Sequence, residues 1–350
     1  MKGRRLIAFP AAIAMLLAAC GGQTATPTTT AAPVGTASAA PSATPTPVAI
    51  SIGYASLSGT QAAAWVAKER GIYAKNGLDV TLQSIAGGSS PTGALLSDNI
   101  QGLQISVEAV SATLEGGDIV YVAAPLSSPL FWFVVGSGIN SAADLKGKTV
   151  AMTTIGSATY FADVLALQKL GLDPKKDVSL ISVNNVPAIL SAIQSGQVAA
   201  GALSMPTYSQ AKKLGMKSLV NVAELGFQYP SSWLAVRRSY VAAHRGEVAA
   251  MVKSTTEAIA FELQNPKETM DIIGKYTQTT DQALLQETYD TLVPYLNRTP
   301  LPKPEQVAAA LTLLEVTTPK AKGADPKQFV DTTFVEELQK TGFIDTLYKK

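Results

Sequence analysis

The stretch Val48–Ile85, VAISIGYASLSGTQAAAWVAKERGIYAKNGLDVTLQSI, decides the fold class. Its apolar run 48–55 predicts a strand, and residues 61–76 predict a helix that ends at Gly77. Residues 78–85 predict a second strand, because β-branched and apolar residues alternate there with polar ones. Two strands joined by a helix form a βαβ unit with a parallel pair. The sequence therefore predicts an α/β fold.

This alternation of strand and helix patterns occurs in two blocks. The first block is followed by Gly136-Ser137-Gly138, which we interpret as a crossing to a second lobe, and residues 226–229 as the return. From Tyr240 onward the chain is almost wholly helical in pattern, with several prolines. We therefore predict a two-lobed, hinged α/β protein with a helical C-terminal extension. Lobe one comprises residues 49–136 and 228–350, and lobe two comprises residues 137–227.

The N-terminal segment indicates export. A basic start and a short apolar run precede LLAACGG (Leu16–Gly22), which contains the only cysteine, Cys20. This is typical of a signal peptide, predicted over residues 1–19, and Leu-Ala-Ala-Cys resembles the bacterial lipobox. The resemblance implies a lipid on Cys20 and a location on the extracytoplasmic side of the cell membrane. Residues 20–48 are rich in Thr, Ala, Pro and Ser, which predicts a disordered tether.

Composition excludes several function classes. The signal segment holds three of the 28 basic residues, Lys2, Arg4 and Arg5, which leaves 25 against 26 acidic ones. The sequence therefore has no cluster of basic residues that would indicate nucleic-acid binding. With a single histidine, His244, and Cys20 assigned to the lipid, no Cys/His metal site or Ser-His-Asp triad can be assembled. We therefore expect neither an enzyme, nor a metal site, nor a cofactor.

Four segments carry a family resemblance. They are KERGIYAKNGLDVTL (68–82), SAADLKGKTVAM (141–152), LQKLGLDPKKDVSLISV (167–183) and ILSAIQSGQVAAGAL (189–203). Together they resemble the type 2 solute-binding proteins of ABC importers. The branch is the one that handles nitrate, alkyl sulfonates, taurine and thiamin-pyrimidine-like compounds. The resemblance implies a monomeric receptor that captures a small solute and delivers it to a permease with a separate ATPase.

The chain departs from that family at two places. Ala199 stands where the family often has aspartate, and Met205-Pro206 where it often has Glu-Pro. The fold tolerates both changes, but they put the ligand set in doubt.

Candidate ligand contacts follow the predicted strands or lie at the two crossings, where open α/β sheets bind their ligands. They are Ser56, Ser58, Thr60, Ser89, Ser90, Glu108, Ser128, Trp132, Ser157, Tyr160, Asn185, Tyr208, Tyr229 and Trp233. Several have a plainer interpretation, because Ser58, Ser89 and Ser157 could each be a helix N-cap. Glu108 could likewise only stabilise its own helix start.

The ligand class remains open between two chemistries. Hydroxyls, amides, aromatic rings and the single carboxylate Glu108 favour a flat, vitamin-like heteroaromatic solute such as riboflavin or an aminopyrimidine. An alkyl sulfonate, taurine or nitrate is the alternative, because helix N-termini can hold an anion without a cation. An exported enzyme of the same fold and a sensor or adhesin domain are further alternatives.

Overall fold

The computed structural model describes residues 46–85, 90–315 and 318–349. The predicted signal peptide, the predicted lipidation site Cys20, most of the predicted tether and the candidate contact Ser89 lie outside the described residues.

The described residues form ten strands in two sheets. The strands are β1 (Val48–Tyr54), β2 (Leu78–Ser84), β3 (Gly102–Ile105), β4 (Ile119–Leu126), β5 (Trp132–Val135), β6 (Lys148–Met152), β7 (Val178–Ser182), β8 (Ala200–Leu203), β9 (Lys217–Asn221) and β10 (Ser232–Arg237). Each sheet has five strands, in the orders β2-β1-β3-β10-β4 and β7-β6-β8-β5-β9. The predicted α/β class with two sheets is confirmed.

Helices cover the faces of both sheets. They are α1 (Ala62–Glu69), α2 (Ile72–Lys75), α3 (Pro91–Leu96), α4 (Glu108–Leu114), α5 (Ala158–Lys169), α6 (Val186–Gln194), α7 (Thr207–Lys213), α8 (Arg238–Ala243), α9 (Arg245–Gln264), α10 (Pro266–Thr277), α11 (Gln282–Leu292), α12 (Pro304–Leu314), α13 (Thr333–Lys340) and α14 (Phe343–Tyr348). Within the described ranges, none of these helices has the length and apolar content needed to cross a membrane.

The first crossing lies earlier than the sequence predicts. Strand β5 pairs antiparallel with β8 and β9 in the second sheet. The chain therefore changes sheets between β4 and β5, over residues 127–131, and not at Gly136–Gly138. The partners of β5 lie 65 to 89 residues further along the chain, where no local pattern reveals them.

One predicted helix is broken. Residues 61–76 form α1 and α2, which are separated by Gly71 with φ of 65°. A left-handed backbone at this point costs glycine little and other residues more, so Gly71 ends α1 and turns the chain into α2.

Ser127 joins the two crossings at the hinge. Its carbonyl accepts the backbone N–H of Tyr229 at 2.9 Å, and its Oγ accepts the indole N–H of Trp233 at 3.2 Å. The same Oγ accepts Nδ2 of Asn297 at 3.1 Å and donates to Gln306 at 3.3 Å. The hinge is therefore tied to the C-terminal extension by buried hydrogen bonds.

The C-terminal extension supports lobe one. Val307, Ala310 and Leu311 of α12 belong to a buried cluster that also contains Tyr121 of β4 and Trp233 of β10. Helix α13 packs against α9 and β4. The extension thus closes the outer side of lobe one.

Glu262 of α9 is buried without compensation. It is 1 % exposed, and neither carboxylate oxygen has a hydrogen-bond partner within the described part of the chain. Burial raises the pKa of Glu262 to about 8. Burial, and to a lesser extent the charge of Glu262, also raise the pKa of Tyr289 and Tyr348. A carboxyl in such a site folds in its neutral form.

We expect Glu262→Gln to stabilise the protein increasingly as the pH rises from about 4.5 to about 8. The unfolded chain releases this proton near pH 4.5 and the folded one near pH 8, so stability falls as pH rises between these values. The variant should match the parent at pH 4.5 and melt higher at pH 8.5, by an amount that corresponds to about 1 kcal/mol or more. Thermal unfolding at both pH values measures this, with the exposed Glu336→Gln as the matched control. Equal melting shifts at both pH values would contradict it.

Candidate functional site

A cavity of about 60 Å³ lies between the two lobes. Its walls follow the carboxyl ends of β1, β3, β6 and β7, which face one another across the cleft. This is the place where open α/β sheets bind small molecules.

The lining is polar and almost free of charge. Lobe one contributes the polar residues Ser56, Thr60, Gln61, Ser106 and Glu108. Lobe two contributes Thr153, Thr159, Asn184 and Asn185, and Ser231 comes from the return crossing. The apolar part is Ala55, Leu57, Ile105, Phe131, Ala158 and Val186. No lysine, arginine or histidine is among these lining residues.

Helix starts converge on the cavity, and their caps are made by its side chains. Ser157 accepts the backbone N–H of Tyr160 at the start of α5. Asn185 accepts the N–H of Ala188 at 2.9 Å at the start of α6. Ser58 accepts the N–H of Thr60. Each cap fixes the loop that precedes its helix, and these loops contribute to the walls of the cavity.

Gln61 lines the cavity and carries a buried acceptor. Its Nε2 donates to Ser232 Oγ at 3.2 Å, and Gln104 Nε2 donates to the same hydroxyl at 2.8 Å. The carbonyl oxygen of Gln61 is buried and has no partner among the described residues. A buried acceptor without a donor is costly, so this atom is suited to a solute N–H or O–H.

Glu108 presents a second acceptor. Its Oε1 accepts the backbone N–H of Ala158 at 3.3 Å, whereas Oε2 is sealed from solvent without a partner among the described residues. Burial raises the pKa of Glu108 to about 7, against backbone N–H groups that favour the carboxylate. Burial, and then the charge of Glu108, raise the pKa of Tyr121 and Tyr229 as well.

The structure brings some of the predicted contacts together. Ser56, Thr60, Glu108 and Asn185 line the cavity. The cap residues Ser58 and Ser157 are buried, at 2 % and 3 % exposed, and Ser157 Oγ is 2.9 Å from the lining hydroxyl of Thr159. Both belong to the site through the loops they hold.

The predicted aromatic contacts lie elsewhere. Tyr229 and Trp233 are fully buried in the hinge core, and Trp233 packs edge-to-face on Tyr121. Trp132 and Tyr208 stack on each other with ring centroids 4.5 Å apart. These rings pack against other side chains of the protein and do not line the cavity.

The other predicted contacts also lie outside the lining. Tyr160 is buried and packs edge-to-face on Phe161. Ser128 is buried in the first crossing. Ser90 is exposed and caps α3 by accepting the N–H of Gly93 at 3.1 Å.

Several residues that line the cavity are not among the predicted contacts. These are Gln61, Ser106, Thr153, Thr159, Asn184 and Ser231. Thr153 and Asn184 follow strand ends directly, which is the signal that could have found them. Gln61 gave no such signal, because its pattern is that of the first residue of a helix.

The lobes also touch outside the cavity. The carbonyl of Met205 accepts Ser58 Oγ and the backbone N–H of Gly59, each at 3.2 Å. This contact uses the backbone of Met205, so it does not depend on the side chain that departs from the family pattern.

Helices α7 and α11 form a second contact between the lobes, which we call the α7–α11 clasp. Ser209 Oγ donates to Glu287 at 2.6 Å, Lys212 pairs with the same carboxylate, and Lys213 pairs with Asp281. Ion pairs therefore link the two lobes at the α7–α11 clasp.

Comparison with known proteins identifies the family. The model of the NMT1/THI5-like family matches residues 60–269, more than half of the 350-residue chain. The chain belongs to this family. A protein of Brucella abortus (strain 2308) that is named as a binding protein is 28 % identical over 233 residues, 65 % of this chain and 70 % of the relative.

Solved structures share the fold of this NMT1/THI5-like chain. The alkanesulfonate-binding protein SsuA of Xanthomonas axonopodis pv. citri, bound to MOPS, superposes with a TM-score of 0.70 at 20 % identity, covering 82 % of this chain and 99 % of its own. The periplasmic nitrate-binding protein NrtA of Synechocystis PCC 6803 gives 0.73 at 15 % identity, covering 87 % and 92 %. The expected type 2 solute-binding fold is confirmed. These relatives are binding proteins, in agreement with the expectation that the chain is not an enzyme.

We expect Lys212→Glu to open the α7–α11 clasp. The change replaces attraction by repulsion at a half-exposed pair, worth about 1 kcal/mol, or roughly a fivefold change in the ratio of open to closed protein. Small-angle X-ray scattering should show a larger radius of gyration at low salt, and salt should reduce the difference.

The matched controls for the clasp test position and charge. Lys217→Glu makes the same charge change at the far end of lobe two, beside Val135, and should leave the radius unchanged. The exchange Lys212→Glu with Glu287→Lys restores opposite charges and should restore the parent value. If the exchanged pair stays as open as the single variant, charge does not hold the clasp.

Proposed function

We propose that this protein is the solute-binding component of an ABC importer and that its solute is an aminopyrimidine or a similarly compact heteroaromatic amine. Binding between the lobes favours the closed form, and a permease with its separate ATPase receives the solute from that form. Family membership and the two-lobed fold support the import role. The observation that supports this solute is the pair of buried acceptors, Gln61 Oε1 and Glu108 Oε2, which have no hydrogen-bond partner among the described residues.

The donors of an aminopyrimidine complement those acceptors. An exocyclic amino group donates two N–H bonds, and the ring nitrogens accept from hydroxyls such as Thr60 or Thr159, which line the same cavity. Phe131 supplies an apolar surface beside the ring. Each polar group of the solute would thereby find a partner, as buried polar groups require.

The size of the cavity favours a single ring. Ligands of drug size, riboflavin among them, fill cavities of roughly 300–1,000 Å³. The cavity here is about 60 Å³. Riboflavin therefore requires a wider cleft than this one, so we rank it below the aminopyrimidine.

An alkyl sulfonate, taurine or nitrate is the second candidate. The named structural neighbours bind an alkanesulfonate and nitrate, and the helix starts at this cleft carry the partial positive charge that an anion needs. Against it, no lining residue is basic, although desolvated anions gain most from a bidentate arginine.

The test is calorimetric titration of the purified protein after unfolding and refolding, which removes any solute carried through purification. We expect 4-amino-5-hydroxymethyl-2-methylpyrimidine to bind with a Kd of about 1 μM or lower, near −8 kcal/mol. Gln61→Leu should weaken it at least tenfold, because it removes an acceptor while it keeps the side-chain length. Gln101→Leu, on the outer side of lobe one, is the matched control.

Riboflavin, methanesulfonate and nitrate serve as parallel titrants. Tight binding of methanesulfonate or nitrate without binding of the pyrimidine would replace the proposed solute and retain the import role. Turnover of any bound titrant would contradict the import role itself.

We also propose that Cys20 carries a lipid that holds the protein at the extracytoplasmic face of the cell membrane. The signal-like start and the lipobox-like residues before Cys20 support this. Cys20→Ala should move the protein from the detergent phase to the aqueous phase in a Triton X-114 partition of expressing cells. Partition of the variant with the parent would contradict the lipid anchor, and Ser38→Ala in the tether is the control.

A further inference from the structure

Glu108 reaches across the cleft. It is the first residue of α4 in lobe one, and its Oε1 accepts the backbone N–H of Ala158 at 3.3 Å. Ala158 is the first residue of α5, a 12-residue helix of lobe two. One side chain of the site therefore contacts both lobes.

The place that Glu108 occupies is electrostatically special. The N-terminus of an α-helix carries unpaired N–H groups and about half a positive charge, and it is suited to an anion. The cap residue Ser157 satisfies the N–H of Tyr160, whereas the N–H of Ala158 points into the cleft and is taken by Glu108. The protein's own carboxylate thus sits where an anionic solute would bind.

No cation of the cavity offsets this carboxylate. Glu108 is the single charged residue among those that line the site, and its Oε2 is left without a partner there. Above the pKa of Glu108, about 7, a second anion beside it would meet a like charge at short range in a poorly solvated space, which is strongly unfavourable. A solute N–H, by contrast, would donate the hydrogen bond that Oε2 of Glu108 lacks.

We infer that Glu108 is the residue that determines the specificity of this cleft: it acts as a built-in anion that occupies the N-terminus of α5, excludes anionic solutes, and offers Oε2 to a hydrogen-bond donor of the solute. This inference rests on the proposed function only in that the solute enters this cleft. It explains how a fold shared with sulfonate- and nitrate-binding proteins would reject such anions by one side chain.

The test compares the parent protein with Glu108→Gln and Glu108→Ala by calorimetry at pH 8.5, where the Glu108 carboxylate of the parent is ionised because its pKa is about 7. The probes are methanesulfonate and 4-amino-5-hydroxymethyl-2-methylpyrimidine. We expect Glu108→Ala to bind methanesulfonate at least tenfold more tightly than the parent, and to bind the pyrimidine at least tenfold more weakly. Glu108→Gln keeps the shape of the side chain and removes the charge, so it should also gain methanesulfonate binding.

Glu115→Gln is the matched control, because it removes a carboxylate at the other end of the same helix, where Glu115 is exposed and pairs with Lys320 at 2.8 Å. It should change neither affinity. Circular dichroism and melting temperature establish that each variant is folded. If Glu108→Ala fails to fold, the isosteric Glu108→Gln decides.

The outcomes separate this inference from the proposed solute. Gain of methanesulfonate binding by the folded variants supports the inference. This holds even if the parent protein does not bind the pyrimidine, an outcome that would contradict the proposed solute. Pyrimidine binding that is equal in the parent and both variants, with no gain for methanesulfonate, overturns the inference and leaves the proposed solute standing. Absence of any gain for methanesulfonate in folded variants overturns it in every case.

Discussion

The structure depends on one topological constraint. In each sheet, the strand in the fourth position of the sheet order is the first strand after the chain has crossed from the other lobe. Strand β5 enters the second sheet antiparallel to β8, and β10 enters the first sheet antiparallel to β3. Both crossings must therefore run side by side at the edge of the cleft. Ser127 joins them by hydrogen bonds to Tyr229 and Trp233. The carboxyl ends of the parallel strands then face one another, which places the cavity.

The sequence predicts the elements well and their partners poorly. Strand and helix periods are local, so β1 and β2 fall within one residue of where the pattern places them. The sheet to which a strand belongs is not local information. The run that contains β5 is apolar in either lobe, and only pairing with β8 and β9 shows that the crossing precedes it. Gly71 shows a second limit, since a helical pattern continues through a glycine that ends the helix.

The site shows the same division between local and distant information. The loops that form it follow from the rule that ligands bind beyond strand ends, and four predicted contacts, Glu108 among them, line the cavity. The predicted aromatic contacts are absent from the cavity lining of the described residues, because proximity to a hinge does not tell whether a ring faces the cleft or the core. Tyr229 and Trp233 are at 0 % exposure, since the hinge has to exclude water where two crossings meet. Gln61 was missed because it belongs to a helix start and not to a loop.

A shared fold leaves the solute to a few side chains. The named structural neighbours are only 15–20 % identical to this chain, so their likeness concerns the arrangement of strands and helices. In this chain that arrangement places helix N-termini at the cleft, which favours anions by default. A carboxylate placed on one of those N-termini reverses the default without any change of backbone. In this chain, Glu108 occupies the start of α5 at the cost of burying a carboxyl whose pKa rises to about 7. A group kept so unfavourably within a binding cavity is more readily explained by the solute than by stability.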